Sequence, residues 1–401
     1  MTLTLTENKQ QLPDWLAKMQ KPFPADRDIV RCTRCLYDEN TYGISFDDEG
    51  VCSYCRTMER LEEEYPTGEE GRKRLRQIAD RIKKDGRGKK YDVVVGVSGG
   101  CDSSYLLHIT KELGLRPLAA HYDNTWNSQI AVENIHNVLD KLKVDLFTYV
   151  VDNEEYNDIF RAFMLAGVPE IDAATDIGLA TTLYMAAAKH GIKYIFNGHS
   201  FRTEGVAPLG WCYVDGKYIQ SIMKRYGTLK LKTFPNLWLA TFLRYMLFNR
   251  VKRIRPLYYV DYRKEETKQF LADRYGWQWY GGHHLENRMT HFNHTYIFPL
   301  RFDIDQRVNG YSALIRSGQM TRVEGLELMR EPLKFDSELI EMIQKRLGFS
   351  DAEFRRVMTQ PVKTFTDFKT YKKTFERMRP FFWLMYKLNL VPKSFYMKYT
   401  H

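Results

Sequence analysis

No run of about 18 apolar residues occurs in the 401-residue chain, so no membrane-spanning helix is expected. The most apolar stretch, NLWLATFLRYMLF (236–248), is short, is interrupted by Arg244 and reads as a core helix. The start, MTLTLTENKQQLPDWLAK, has no basic segment leading into an apolar one, which excludes an ordinary secretory signal and makes the cytoplasm the expected compartment. Six cysteines are too few for a disulfide scaffold in a chain of this length, and four of them fall in two close pairs. H-E-x-x-H is missing, as is a lysine after the second glycine of a Walker loop. Internal repeats and low-complexity tracts are also lacking.

What is present describes a folded, basic protein. Hydrophobic residues make up 44% and aromatic residues 14%, which excludes a disordered chain. A net charge of +10 predicts attraction to something acidic: nucleic acid, a nucleotide, a diphosphate or an anionic surface. Composition divides the chain into a polar lead (1–30), a cysteine-bearing segment (31–60) and a charged helical connector that reads as solvated (61–90). A strand–helix alternation follows (91–260), then a mostly helical region with a basic, aromatic tail (261–401). Strands are expected at 93–97, 117–122, 146–151 and 193–197, with helices at 103–113, 128–142, 154–165 and 176–190. That alternation predicts an α/β fold, a doubly wound parallel sheet covered by helices on both faces.

The first strand ends in VSGGCDSS (97–104) and a helix opens at once. Gly99 and Gly100 let the chain turn tightly and let a ligand approach the backbone, while the first helical N–H groups and the helix dipole favour an anion. Ser98, Ser103 and Ser104 add hydroxyl donors. Asp102 is an acid inside an anion cradle, which suits either a Mg2+ ligand or a cap of the helix start. In the cysteine segment, Cys32 and Cys35, then Cys52 and Cys55, form C-x2-C pairs sixteen residues apart, the spacing of a structural zinc ribbon. Cys101 reads as a tolerated small residue of the loop, and Cys212 has no readable role.

The SGGxDS loop resembles that of the PP-loop ATP pyrophosphatases, an adenine nucleotide alpha hydrolase-like fold whose members use ATP to adenylate a substrate oxygen. The resemblance places ATP on residues 98–104 and its nucleoside near Asp123 and Asn124 in HYDNTW. The NGHSFRTEG segment, with Gly198, His199, Arg202, Thr203 and Glu204, falls where relatives carry GHxxDD, but holds one acid and an added arginine. Taken together, CTRCLYD, GVCSYC, VGVSGGCDSS, HYDNTWNS, GHSFRTEG, WYGGHHLENRMTHF and LIRSGQMTR are similar to the N-acetyl sugar amidotransferases of bacterial surface-polysaccharide synthesis, over residues 31–330.

That resemblance implies activation of an N-acetyl carbonyl on a nucleotide-linked sugar, then replacement of its oxygen by ammonia to give an acetamidino sugar. Asp102 and Glu204 become the Mg2+ candidates, with His199 and Arg202 at the α-phosphate or the developing oxyanion. Gly198 lies at the nucleotide. Asp176 and Thr203 are expected at the sugar, Asp176 serving equally well as a helix cap. His283 and His284, with His291, His294, Glu286 and Asn287, form a second cluster for substrate or ATP contact, with metal binding or packing as alternatives. Neither an N-terminal cysteine nor a G-x-C-x-G elbow is present, so a separate glutaminase is expected to supply ammonia through a barrel-like channel subunit. The rival readings are a PP-loop tRNA-modifying enzyme, a thiolase or lysidine-type synthetase, and a nucleotide-sensing zinc module. The tail from 363 reads as a solvated helix face or as a docking surface for partner subunits or a membrane.

Overall fold

The computed structural model describes residues 13–21, 28–208, 211, 213–282, 284–333, 335–388, 390–391 and 393–400. Of the expected lead, 1–12 and 22–27 lie outside the described residues, as do Cys212 and His283. Five parallel strands, β1 (Val93–Gly96), β2 (Pro117–Asp123), β3 (Asp145–Val150), β4 (Tyr194–Phe196) and β5 (Lys252–Ile254), lie in the order β3-β2-β1-β4-β5. Val94 pairs with both Leu118 and Ile195, so β1 is central and the winding reverses between β1 and β4. Ligands of open α/β sheets bind beyond the strand ends at such a reversal.

The period-two pattern of the strands sorts their side chains into two layers. Val93 and Val95 of β1, Val97 just past its end, Ala119 of β2 and Phe196 of β4 face one core, shared with the helices Gly68–Asp85, Cys101–Glu112 and Gln129–Leu142. Val94, Leu118, Ala120 and Ile195 face the other, shared with Ala173–Lys189 and Leu239–Leu247. The doubly wound sheet expected from the alternation is therefore present. Helix boundaries move by a few residues from those expected; Gly99–Gly100 turns so sharply that its helix starts at Cys101.

Two helices occupy the supposed connector. Ser53–Glu64 carries Cys55, and Gly68–Asp85 ends at Gly86. The second is not solvated all round: Leu75, Ala79 and Ile82 recur at helical spacing and are buried against the sheet. Charge on its outer face hid a layer helix. The 261–401 region is helical, as expected, and packs closely on the sheet domain; Lys264–Tyr275 lies against Cys101–Glu112 through Leu271 and Tyr275.

Leu75→Ala separates the two readings of 68–85. As a layer residue 4% exposed, it is expected to cost about 2–4 kcal/mol in chemical denaturation, where a solvated connector would lose under about 0.5 kcal/mol.

Candidate active site

The loop after β1 is built around one glycine. Gly99 sits at φ +80°, and a Cβ there would lie 2.2 Å from the Ala131 carbonyl oxygen. Its own carbonyl accepts from Trp277 Nε1 at 2.9 Å and Asn134 Nδ2 at 3.2 Å. The loop is thus pinned from both the sheet domain and the C-terminal region. Ser98 Oγ and Ser103 Oγ stand 3.4 Å apart, and Ser104 is buried. Gly100 is the N-cap, and no side chain caps the helix it opens. An uncapped N-terminus under a glycine turn leaves N–H groups for an anion. Gly198 at the end of β4 packs on this turn; a Cβ there would be 3.4 Å from Ser103 N.

Asp102 does not cap the helix. Its carboxylate accepts from Lys264 Nζ at 2.7 Å and from the Tyr262 hydroxyl. Burial opposes its ionisation, but the Lys264 charge and these two bonds outweigh burial and hold the carboxyl below its ordinary range. Lys264 is correspondingly held protonated, although burial works against it. Neither Tyr262 nor Lys264 stands out in the sequence.

A second charge group faces the first. His284, at φ 59°, lies 3.6 Å from Glu204 and 3.7 Å from Glu286. Burial disfavours its charged form, yet Glu286 and Glu204 raise it to about 9, so it is an imidazolium at neutral pH. Burial and the charge of Asp102 push Glu204 up to about 7. Glu286 stays anionic because His284 and Lys264 overcome its burial. Its Oε1 reaches Ser98 Oγ at 3.3 Å, while its Oε2 is buried with no hydrogen-bond partner among the described residues. His199 meets the Tyr258 hydroxyl at 3.0 Å, and burial and Arg255 lower it to about 3, so its ring is neutral. Farther along, Asp172 rises to about 7 through burial and the charge of Asp176. Asp176 is open to solvent, yet enough protein surrounds it to raise its carboxyl as well.

Several expected site residues are engaged elsewhere. Arg202 donates to the carbonyls of Tyr258 at 2.8 Å and Tyr65 at 2.9 Å and lies over the Phe201 ring, clamping these segments together. Asn124 accepts from Asn287 Nδ2 at 3.1 Å, and Asn287 caps the helix Arg288–Phe292, so both amides form a buried tie. Asp123 closes a turn onto Thr125 N at 2.8 Å. Asp176 is in the first turn of its helix, whose N-cap is Asp172. Thr203 is buried, and its hydroxyl has no partner among the described residues. His294 stacks on Phe298 and His291 lies near Asp336, so His284 alone of the described histidines there joins the acids of the crevice.

The four paired cysteines converge. All four Sγ atoms lie within 4.8 Å of one another and are fully buried. The Cys32–Cys55 and Cys35–Cys52 separations are 3.8 and 3.7 Å, matching the edge of about 3.8 Å that follows from zinc–sulfur bonds of about 2.3 Å. The donor set and its spacing fit structural zinc. Arg316 donates to Cys35 Sγ at 3.1 Å and Cys55 Sγ at 3.3 Å, offsetting thiolate charge. The knuckle also supports the crevice. Tyr37 donates to Asn309, whose Nδ2 donates to the Glu204 carbonyl at 2.7 Å. In SGQMTR, Ser317 holds the Arg202 carbonyl at 2.8 Å, Gln319 holds the backbone of Tyr262 and Lys264, and Arg322 holds the carbonyls of Cys32 and Cys35.

Elemental analysis of the purified chain is expected to find about one zinc. Arg316→Leu strands the buried thiolate charge and is expected to cost about 3–5 kcal/mol in denaturation of the zinc form; an unchanged midpoint would contradict the assignment.

No curated protein matches the chain. Among solved structures it is similar to NMN synthetase from Francisella tularensis, at 12% identity over 70% of this chain and 95% of that one, with a TM-score of 0.31. It is also similar to NH3-dependent NAD synthetase from Campylobacter jejuni in complex with the nitrate ion, at 13% identity over 73% of this chain and 98% of that one, again with a TM-score of 0.31. Likeness at that level carries nothing about chemistry. Residues 286–380, from the glutamate beside the glycine loop onward, match the family model for the C-terminal domain of LPS biosynthesis protein WbpG-like chains.

Proposed function

We propose that this chain is an ATP-dependent C–N ligase of surface-polysaccharide synthesis. It adenylates the carbonyl oxygen of an N-acetyl group on a nucleotide-linked sugar and replaces that oxygen with ammonia. The observation that carries the reading is the meeting of two segments. Glu286, where the LPS-biosynthesis match begins, reaches Ser98 of the glycine loop at 3.3 Å. A polysaccharide-type segment thereby closes on a polyphosphate-type cradle.

The reaction divides one hard substitution into two easier ones. The amide oxygen attacks the α-phosphorus of ATP and pyrophosphate leaves. Ammonia then attacks the amide carbon and AMP departs with the oxygen, leaving an acetamidino group. The N–H groups at the helix start, with Ser98, Ser103 and Ser104, bind the phosphates. Lys264 and His284 place positive charge where negative charge develops on the leaving groups. Glu204, Asp102 and Glu286 suit a divalent cation arriving with the nucleotide, since Glu286 Oε2 is an orphaned buried oxygen and Glu204 and Glu286 already flank one cationic group. Mg2+, when bound there, neutralises triphosphate charge. Neutral His199 can hydrogen-bond the developing oxyanion, Glu204, charged above about 7, can take the proton of the attacking ammonia, and the solvent-exposed Asp176 is the proposed sugar contact. Burial pushes the Cys101 thiol up to about 12, a poor nucleophile for glutamine. Ammonia is therefore proposed to come from a separate glutaminase through a barrel-like channel subunit.

Incubation with ATP, ammonium and nucleotide diacetamido sugars should release pyrophosphate and lower the sugar mass by about one dalton, the O-to-NH exchange. Asp102→Asn is expected to cut this at least about 100-fold. Pyrophosphate release that requires tRNA, with steeply salt-dependent tRNA binding, would instead assign the site to RNA modification.

The pH profile of kcat/KM follows from the two shifted groups. Glu204 is protonated below about 7 and loses its charge, so activity rises through that region. His284 loses its proton above about 9, so activity falls there. Glu204→Gln should remove the acid limb and His284→Gln the alkaline limb; a profile unchanged by both would contradict these roles.

A further inference from the structure

The helix Arg379–Lys387 is apolar on two opposite faces. Its inner face buries Phe382 and Met385 in the core shared with Leu239–Leu247. Its outer side exposes the adjacent Trp383 and Leu384 and, four residues beyond Leu384 and just past the end, Leu388, at 49, 48 and 53%. A surface helix of a water-soluble protein normally turns polar residues outward, so this stripe calls for an apolar occupant. Phe395, in the helix Lys393–Thr400, bridges Phe382 at 5.4 Å and Phe242 of the helix Leu239–Leu247 at 5.1 Å; that last helix leaves Leu247 exposed and is followed by Phe248 at 81% exposure.

The charges around the stripe are mostly positive, although Lys393 pairs with Glu64 at 3.1 Å. Residues 369–400 hold eight lysines and arginines and a single carboxylate, Glu376, which pairs with Lys372 at 2.8 Å. Lys373, Arg377 and Lys387 are exposed, and Lys387 lies 5.6 Å from the Trp383 ring centroid. An exposed tryptophan and leucines rimmed by cations fit the boundary between lipid headgroups and acyl chains. A protein partner would need a matching acidic rim about an apolar groove, whereas an anionic bilayer offers both at once. Among the described residues no helix is long and apolar enough to cross a membrane, and a helix of nine residues lies in the interface plane instead. The stripe lies beyond the 286–380 match.

We infer that the Arg379–Lys387 helix docks the protein on an anionic membrane surface, Trp383, Leu384 and Leu388 entering the headgroup layer and Lys373, Arg377 and Lys387 contacting lipid phosphates. The test is sedimentation of the full chain with vesicles of phosphatidylcholine alone or with phosphatidylglycerol added. Binding is expected only with phosphatidylglycerol, and should fall at least about tenfold in Lys387→Glu/Arg377→Glu and at high salt. Trp383→Ser/Leu384→Ser should lose binding to a similar extent while keeping its circular dichroism spectrum, because both side chains already face water. No sedimentation with anionic vesicles, or equal sedimentation of all variants, would overturn the inference. So would concentration-dependent dimerisation abolished by the serine variant, which would give the stripe to a second copy. Vesicle binding needs no substrate, so its failure leaves the proposed reaction standing.

Discussion

The arrangement depends on balancing buried charge at the sheet's winding reversal. Asp102 stands at the start of a helix, in a crevice also holding Glu204 and Glu286. Three carboxylates near one point would repel each other and lose hydration, and one would neutralise. Lys264 and His284 prevent this for Asp102 and Glu286, while Glu204 is left near its titration point. Three distant parts of the chain deliver or steady these groups. Lys264–Tyr275 brings the lysine, the 284–288 segment brings His284 and Glu286, and the cysteine knuckle steadies Glu204 through Tyr37 and Asn309.

The C-terminal region is consequently part of the crevice. Ser128 N donates to the Glu286 carbonyl at 2.7 Å and Arg288 N to the Trp126 carbonyl at 2.8 Å, a single antiparallel bridge through Asn127 and Asn287. This contact lays the 286–288 segment along the end of β2. The buried Asn287–Asn124 tie then links it to Thr175 and Asp172 on the far wall. A fully bonded polar network of this kind fixes one geometry, because any slip would leave buried groups unpaired.

Local features could be read in the sequence and distant pairings could not. Val93–Val97 followed by SGGCDSS predicts strand, turn and helix because the hydrophobic run, the glycines and the helical pattern all act within a couple of dozen residues. The cysteine spacing predicts the tetrahedral cluster for the same reason. Lys264 meets Asp102 across 162 residues and Glu286 meets Ser98 across 188, and no local pattern encodes either. The partners of Arg202 and Asn124 were illegible for a related reason. Each sits beside the crevice in sequence, but neighbouring carbonyls and Asn287 claim their hydrogen bonds. The outer charge of 68–85 concealed its buried stripe, since net charge says nothing about which face carries it.

The central claim is that residues 98–104 and the charges around Asp102 form the seat of a nucleotide triphosphate. A crystal structure with Mg2+ and a non-hydrolysable ATP analogue tests it most directly. The account predicts the β- and γ-phosphates on the N–H groups following Gly99, with Lys264 and His284 within contact distance. Nucleotide bound elsewhere, with this loop unchanged and empty at saturating analogue, would contradict it.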